Sequence, residues 1–246
     1  MVDNKIYLLF DVDGTLTPSG LTIKEEMVEC LKKIKKNYPE VKLGIVGGGD
    51  YNKIRFQMDG NLFLFDLIFA ECGSVFYIGD KLISEKRILD FVDREYLNEI
   101  IKKCLKEISD MDIILNGCQI DFRKGLIYVS PPGMQASNYE RDIFKKKDKE
   151  HNLRKGLITI LKKLDPYNLF DIVLGGEVGI AIYLKEWDKS QILYHFDTNK
   201  DTIYYFGDKT EPDGNDYPIY SHPKVKGISV KDYNQTILKL NEIFKI

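Results

Sequence analysis

The sequence has few cysteines, few histidines and no excess of charge of either sign. Its 246 residues include 4 cysteines and 3 histidines, and 36 basic residues stand against 38 acidic ones, which gives a net charge of -2. The cysteines form no CxxC pair, so we expect reduced thiols in a cytoplasmic protein rather than a disulfide framework or a zinc site. Without a basic excess, the chain lacks the electrostatic signature of a nucleic-acid-binding protein.

Long apolar runs and nucleotide-binding motifs are also missing. The longest apolar stretch, residues 61–70, contains Asp66 and is too short to span a bilayer. No GxxxxGK sequence occurs, so P-loop nucleotide chemistry is not indicated. With 43% hydrophobic residues, the chain has enough apolar surface to fold into one or two globular domains. We therefore expect partners that are neither nucleic acids nor membranes.

The apolar pattern at both ends of the chain predicts an α/β core with a parallel sheet. Short continuous apolar runs are typical of strands buried on both faces, and apolar residues at intervals of three and four predict helices. A capping box of Thr22 and Glu25 is expected to begin the first helix. The predicted strands are 6–10, 41–46, 67–70 and 203–206, and the predicted helices are 22–38, 51–58, 190–196 and 233–244.

The middle of the chain follows a different pattern, which predicts an inserted α+β cap domain with an antiparallel sheet. Short strands there are joined by turns, and two long helices carry the remaining apolar residues. The predicted helices are 88–108 and 139–164, and the predicted strands are 113–115, 119–123, 126–129, 170–174 and 178–184. We therefore predict a first core segment at 1–82, a cap domain at 83–185 and a second core segment at 186–246.

Two acids follow the first buried strand directly, at Asp11 and Asp13. Ligands of open α/β sheets bind at the carboxyl ends of the strands, so these carboxylates lie where chemistry is expected. An ordinary turn or helix cap is the alternative, since Asp and Gly are common turn residues.

A second acidic cluster favours the catalytic interpretation. Asp208 follows another buried strand, Asn215 and Asp216 come shortly after it, and Lys189 begins the preceding helix. This set of residues suits phosphoryl transfer. It offers a nucleophilic carboxylate, an acid/base carboxylate, a further acid for a hard cation and the charge of a lysine.

Residues 10–17 (FDVDGTLT) resemble the first motif of the haloacid dehalogenase superfamily of phosphotransferases. Further segments occur in the order and near the spacing of one branch, the eukaryotic-type phosphomannomutases. These segments are 45–50 (IVGGGD), 122–125 (FRKG), 129–133 (VSPPG), 140–141 (ER), 187–189 (WDK) and 206–216 (FGDKTEPDGND). The resemblance covers almost the whole chain and implies a Rossmann-like haloacid dehalogenase core with an inserted cap.

The resemblance also implies roles for residues of the core. Asp11 would be the nucleophile that becomes an aspartyl phosphate, and Asp13 would be the general acid/base. Asp11, Asp208 and the backbone carbonyl of Asp13 would bind Mg²⁺. Lys189 would neutralise the transferring phosphoryl group, and Asn215 and Asp216 would support the loop.

For the cap, the resemblance implies that Arg123 and Arg141 clamp the distal phosphate of a hexose phosphate. The implied enzyme interconverts mannose 6-phosphate and mannose 1-phosphate for GDP-mannose synthesis. It would use a hexose 1,6-bisphosphate as activator and form a homodimer through the cap.

The chain departs from the family at positions that bind the sugar or a second metal. The family usually has Arg at 20 and 134, Ser at 49 and 179, and Asp at 181 and 222. This chain has Gly20, Met134, Gly49, Gly179, Ala181 and His222 there. Two alternatives to the mutase therefore stay open: a sugar-phosphate phosphatase, and a non-catalytic subunit that binds sugar phosphates.

Overall fold

The structure is a computed structural model that describes residues 4–245, and the chain divides into two compact units. The first unit ends at Glu85 and resumes at Glu186, and the second unit is Lys86–Lys185. The predicted domain limit at residue 82 falls inside a strand, Lys81–Glu85.

The elements alternate between strands and helices at both ends of the described chain. The strands are β1 (Ile6–Phe10), β2 (Val41–Val46), β3 (Leu67–Ala70), β4 (Val75–Ile78), β5 (Lys81–Glu85), β6 (Ile120–Phe122), β7 (Leu126–Val129), β8 (Phe170–Gly175), β9 (Gly179–Leu184), β10 (Thr202–Gly207) and β11 (Lys226–Ser229). The helices are α1 (Glu25–Asn37), α2 (Tyr51–Met58), α3 (Arg94–Ser109), α4 (Asn138–His151), α5 (Leu153–Lys162), α6 (Tyr217–Tyr220) and α7 (Tyr233–Phe244).

The first unit contains a seven-stranded sheet in the order β11-β10-β1-β2-β3-β4-β5. The strands from β11 to β3 are parallel, and β4 and β5 continue the sheet as an antiparallel hairpin. Apolar runs such as Ile6–Phe10 and Val41–Val46 form its centre because both faces of these strands are covered. The predicted α/β core is confirmed.

The hairpin and β11 were not predicted from the sequence. All five residues of β5 are exposed, and none of the four residues of β11 is buried, so neither strand has a buried apolar run to mark it. The predicted helix at 190–196 is instead a 3-10 helix, Lys189–His195.

Helix α1 packs through a stripe of buried residues that includes Met27, Leu31 and Ile34. The predicted capping box is wrong, because the N-cap residue is Lys24 and no side chain caps the helix. Acidic residues in the first turn and lysines in the last turn are placed favourably for the helix dipole instead.

The second unit contains an antiparallel sheet in the order β6-β7-β9-β8. Helices α3 and α5 share a buried apolar cluster with one face of this sheet. The predicted α+β character is confirmed, but two elements are corrected. Residues 113–115 form no strand. The predicted helix at 139–164 is broken at Asn152, whose φ of 53° lies in the left-handed region and ends α4.

The described cysteines Cys30, Cys72, Cys104 and Cys118 are free thiols, as the sequence predicts. Among residues 4–245, no helix combines the length and apolarity needed to cross a bilayer.

Candidate active site

The candidate site lies where β1 and β10 end side by side. The two strands are parallel, with Phe10 opposite Phe206, so Asp11 and Asp208 leave the sheet at the same edge. The Asp11 backbone N–H donates to the Phe206 carbonyl at 2.9 Å and extends the pairing by one residue. Gly14 turns the chain back with a φ of 83°, and a Cβ on it would lie 2.7 Å from Asp208 Oδ2. Glycine is therefore required here both by the turn and by the close approach.

Three carboxylates converge at this edge: Asp11, Asp208 and Asp216. One oxygen from each lies within 4.8 Å of the others. Like charges at this separation repel one another, and a divalent cation relieves that repulsion. An all-oxygen donor set suits a hard cation such as Mg²⁺. The residues present therefore fit a magnesium site.

Lys189 lies between two of these carboxylates and is fully buried. Its Nζ donates to Asp11 Oδ1 and, at 2.7 Å, to Asp216 Oδ1. Burial lowers the pKa of Lys189, but the charges of Asp11 and Asp216 outweigh burial and raise it overall. The lysine therefore keeps its proton and presents a fixed positive charge beside Asp11.

Asp216 uses both of its oxygens in hydrogen bonds. Oδ1 accepts from Lys189 and from the Tyr205 hydroxyl at 2.5 Å, and Oδ2 accepts from the Lys209 backbone N–H at 3.0 Å. Burial raises its pKa, but Lys189 and Tyr205 outweigh burial and lower it overall. Asp216 thus anchors Lys189 and the loop that begins at Asp208. Asn215 precedes it in that loop and is half-buried.

The other two carboxylates of the cluster have raised pKa values. Burial raises the pKa of Asp11, the charges of Asp216 and Asp208 raise it further, and Lys189 opposes them. Burial likewise raises the pKa of Asp208, against the Lys209 ammonium at 2.6 Å from its Oδ2. Both groups would gain from an additional positive charge, which is what a bound cation supplies.

The Asp13 carboxylate faces a different set of groups. It accepts hydrogen bonds from Lys53 Nζ at 2.7 Å, from Gln57 Nε2 at 2.8 Å and from the Gly20 backbone N–H at 2.7 Å. Burial raises its pKa, but Lys53 and the other two donors outweigh burial and lower it. Asp13 is therefore ionised at neutral pH. The suggested contact of Asp13 with a metal is made by its backbone carbonyl and not by this carboxylate. That metal contact stays a prediction.

Sequence reasoning missed the residues that hold Asp13. Lys53 and Gln57 stand four residues apart on α2, so they share one face of that helix. Asp50 begins α2 by accepting the Lys53 backbone N–H at 2.7 Å. One sequence signal could have identified them: two polar residues four positions apart, shortly after the glycine run that follows β2. Tyr205 was missed as well, because it lies inside an apolar strand.

The two arginines predicted to clamp a phosphate lie in the second unit. Arg123 Nε donates to Asp121 Oδ2 at 2.7 Å, and the guanidinium lies over the Tyr128 ring at 5.0 Å from its centroid. Arg141 donates to the backbone carbonyls of Ala136 and Met134, each at 2.9 Å. Both guanidinium groups are thus held in place by their own unit, and their role as clamps stays a prediction.

The family model and the similar proteins point to the same family. The family profile described as "Eukaryotic phosphomannomutase" matches residues 27–246. The chain is 36% identical to the phosphomannomutase of Schizosaccharomyces pombe over 98% of its own length and 95% of that protein. It is 35% identical to the phosphomannomutase of Triticum aestivum, covering 98% of this chain and 96% of that one.

Solved structures with the same fold are more distant in sequence. The C-terminal domain of trehalose-6-phosphate phosphatase from C. albicans aligns with a TM-score of 0.64 at 15% identity, covering 99% of this chain and 93% of that domain. IMP-nucleotidase from Plasmodium falciparum, truncated at its N-terminus and bound to IMP, aligns with a TM-score of 0.64 at 17% identity, covering 99% of this chain and 69% of that one. At these identities the likeness concerns the fold alone.

Proposed function

The chain belongs to the eukaryotic phosphomannomutase family, and we propose that it is a magnesium-dependent phosphohexomutase that interconverts mannose 6-phosphate and mannose 1-phosphate. The observation that carries the proposal is the contact between the Asp11 carboxylate and the buried Lys189 ammonium. A carboxylate accepts a phosphoryl group as a nucleophile, and an ammonium beside it offsets the charge on the phosphoryl oxygens. Asp13 follows two residues later as the acid/base.

In the first half-reaction Asp11 already carries a phosphoryl group, received from a hexose 1,6-bisphosphate. Asp13 accepts the proton of the C1 hydroxyl of mannose 6-phosphate, the hydroxyl oxygen bonds to phosphorus, and the bond between phosphorus and Asp11 breaks. The products are mannose 1,6-bisphosphate and a free Asp11 carboxylate. The lowered pKa of Asp13 supports its role as the group that accepts this proton, because a general base must be ionised at the working pH.

In the second half-reaction the bisphosphate presents its C6 phosphate to Asp11. Asp11 attacks this phosphorus, the C6 oxygen leaves, and Asp13 returns the proton to it. Mannose 1-phosphate is released and Asp11 is phosphorylated again, so protons and phosphoryl groups balance over the cycle. Lys189 lies beside Asp11 in both transfers and stabilises the charge that spreads over the phosphoryl oxygens.

Asp11, Asp208 and the backbone carbonyl of Asp13 would hold Mg²⁺, which would neutralise part of the charge on the transferring phosphoryl group. Asp216 belongs to the carboxylate cluster but is left out of this set, because Lys189, Tyr205 and Lys209 already occupy its oxygens.

In the second unit, Arg123 and Arg141 would bind the phosphate that is not reacting, since a guanidinium fork fits phosphate oxygens. The product would supply GDP-mannose synthesis. Family resemblance further supports a homodimer through the second unit. Light scattering at micromolar concentration tests the dimer independently of the chemistry.

A sugar-phosphate phosphatase is the second candidate. The observation that favours it is that Met134, Gly179 and Ala181, at positions where the family binds sugar, have no side-chain hydrogen bond to give. Weaker capture of the sugar leaves the aspartyl phosphate open to attack by water. A non-catalytic role is disfavoured, since Asp11, Asp13 and Lys189 are all present.

One assay separates these functions. Purified protein is incubated with Mg²⁺, mannose 1-phosphate and a hexose 1,6-bisphosphate, and both mannose 6-phosphate and free phosphate are measured. We expect mannose 6-phosphate to exceed free phosphate. Free phosphate alone would indicate the phosphatase, and neither product would indicate the non-catalytic role. Asp11→Asn protein is the control for contaminating activity, because it cannot form the acyl phosphate.

A further inference from the structure

Tyr205 is a fully buried tyrosine in strand β10. Its ring packs in an apolar cluster that includes Leu9 and Phe69, and this packing makes no use of the hydroxyl group. A buried hydroxyl needs hydrogen-bond partners, because leaving it without one is costly. Two partners lie within reach of the Tyr205 oxygen: Asp216 Oδ1 at 2.5 Å and Lys189 Nζ at 3.3 Å.

The chemistry of these three groups fixes the direction of each hydrogen bond. An ammonium can only donate and an ionised carboxylate can only accept, whereas a hydroxyl has one proton to donate and lone pairs that accept. Tyr205 therefore donates its proton to Asp216 and accepts one from Lys189. All three residues lie in the first unit, as does Asp11.

Tyr205 completes the set of acceptors around the Lys189 ammonium, which has three protons to donate. Within residues 4–245 its hydrogen bonds go to three acceptors: Asp11 Oδ1, Asp216 Oδ1 and the Tyr205 hydroxyl oxygen. The stem of a lysine is flexible, so it does not fix the position of the nitrogen by itself. Two acceptors would leave the nitrogen free to turn about the line between them, and the third removes that freedom.

Only one of these three acceptors changes during the proposed reaction. Asp11 alternates between a free carboxylate and an acyl phosphate, whereas Asp216 and Tyr205 stay as they are. While Asp11 carries the phosphoryl group, its own oxygen no longer bears a negative charge, and Asp216 attracts the ammonium more strongly. Tyr205 opposes a shift towards Asp216 in two ways, because it binds the ammonium itself and its proton already bonds to the same Asp216 oxygen.

We propose that Tyr205 is a positioning residue that holds the Lys189 ammonium beside Asp11 while the phosphoryl group is transferred. The inference rests on the proposed function, because it takes Asp11 as the residue that carries the phosphoryl group. The Tyr205 hydroxyl is not accessible to substrate, since the residue is fully buried, so it acts through Lys189. Electrostatic stabilisation of a transition state depends on charges that are already in place, and a loosely held ammonium would supply less of it.

The substitution Tyr205→Phe removes the hydroxyl and keeps the ring. We expect kcat for the interconversion of the mannose phosphates to fall by a factor of about 10 to 100, as for the loss of a hydrogen bond to a charged group. KM should stay within about threefold of wild type, because the hydroxyl does not contact the substrate. Tyr204→Phe is the matched control: Tyr204 is the neighbouring residue of β10, and its hydroxyl also accepts from a lysine, Lys226, at 3.4 Å. This control should keep kcat within about twofold of wild type.

A double-mutant cycle separates positioning from a general structural effect. If Tyr205 acts through Lys189, Tyr205→Phe has little left to remove once the lysine is gone, and it should change the kcat of Lys189→Met by less than about twofold. An equal fold-loss in both backgrounds would overturn the proposal, as would wild-type kcat in folded Tyr205→Phe protein. A Tyr205→Phe protein that does not fold would show that the hydroxyl serves the fold, which would overturn the proposal too.

Beryllium fluoride tests the same contact without a sugar and without turnover. In the presence of Mg²⁺ it binds to a carboxylate in the tetrahedral geometry of a phosphoryl group, so it requires Asp11 but no substrate. Tyr205→Phe should bind it about tenfold more weakly than wild type in isothermal titration calorimetry. Equal affinity would overturn the proposal, whether or not Lys189→Met folds.

The same probe separates this inference from the proposed function. Wild-type protein that binds beryllium fluoride but does not interconvert the mannose phosphates would refute the proposed function, and the affinity of Tyr205→Phe would still decide the role of Tyr205. Wild-type protein that neither binds the probe nor interconverts the sugars would refute both.

Discussion

Replacing Lys189 with methionine is the sharpest test of the site's electrostatics. Lys189 is fully buried and joins Asp11 to Asp216, which are themselves 6% and 0% exposed. Methionine has a similar length but no charge, so the substitution leaves two buried carboxylates without their common cation. Breaking a buried ion pair by removing one partner costs about 3–5 kcal/mol, and we expect a loss in this range.

The loss should also depend on pH. Burial raises the pKa of Asp11, and in the variant Lys189 no longer opposes that rise. A carboxyl whose pKa is higher in the folded state than in the unfolded state destabilises the fold increasingly as the pH rises from the unfolded pKa towards the folded one. In the wild type the pKa of Asp11 is already raised to about 8, so both proteins lose stability alike up to that pH, and the difference in stability between them is expected to be larger at pH 9.5 than at pH 7.

Urea unfolding followed by the fluorescence of Trp187 measures this loss. Trp187 is the single tryptophan of the chain and lies two residues before Lys189, in the same unit. Lys209→Met is the matched control, because Lys209 pairs with Asp208 but its side chain is 52% exposed. A folded Lys189→Met protein that loses less than about 1 kcal/mol, or that loses equally at both pH values, would refute this reasoning.

Three further predictions concern the same unit. Asp11→Asn should lower kcat by at least about 1,000-fold while the circular dichroism spectrum stays unchanged, and wild-type activity in a folded variant would disprove the nucleophile assignment. Lys53→Met should raise the pKa of Asp13 and move the acidic limb of the pH profile of kcat/KM to higher pH. Arg55→Met is the control: Arg55 lies on the same helix but is exposed, so this variant should leave the profile unchanged. Asp66→Asn should destabilise the protein by about 1–2 kcal/mol at pH 7, as judged by urea unfolding. Burial raises the pKa of Asp66, but a backbone N–H and two lysines outweigh burial and lower the pKa below 3.8. The stabilising effect of Asp66 is therefore present above that pH and disappears as the pH falls further. A difference in stability between Asp66→Asn and wild type that grows in acid would contradict this.

The central strands and the helices with strong periodicity were predictable because their sequence patterns are local. Ile6–Phe10 and Val41–Val46 are uninterrupted apolar runs, and they form strands at the centre of the sheet. The stripe of Met27, Leu31 and Ile34 has the period of a helix and is buried in α1. Elements without such patterns were missed: β5 is exposed along its whole length and forms only because β4 offers it an edge to pair with.

The sequence by itself determined which acids follow the buried strands. Asp11 and Asp208 were expected at one sheet edge because parallel strands end on the same side, and the structure places them within one carboxylate cluster. The chemistry of a phosphoryl-transfer site could therefore be inferred from strand ends and residue types alone. That inference needed no knowledge of which side chains face one another.

Only the tertiary structure decided the partner of each charge. Asp13 and Asp11 are two residues apart, yet one accepts from Lys53 and Gln57 and the other from Lys189, 178 residues away in the chain. The space around Tyr128 likewise depends on glycines that reach it from another strand and turn. Hydrogen bonds and close packing act over a few ångströms, so they depend on how distant segments are brought together. A sequence pattern records the spacing of residues along the chain, and it contains no such distance.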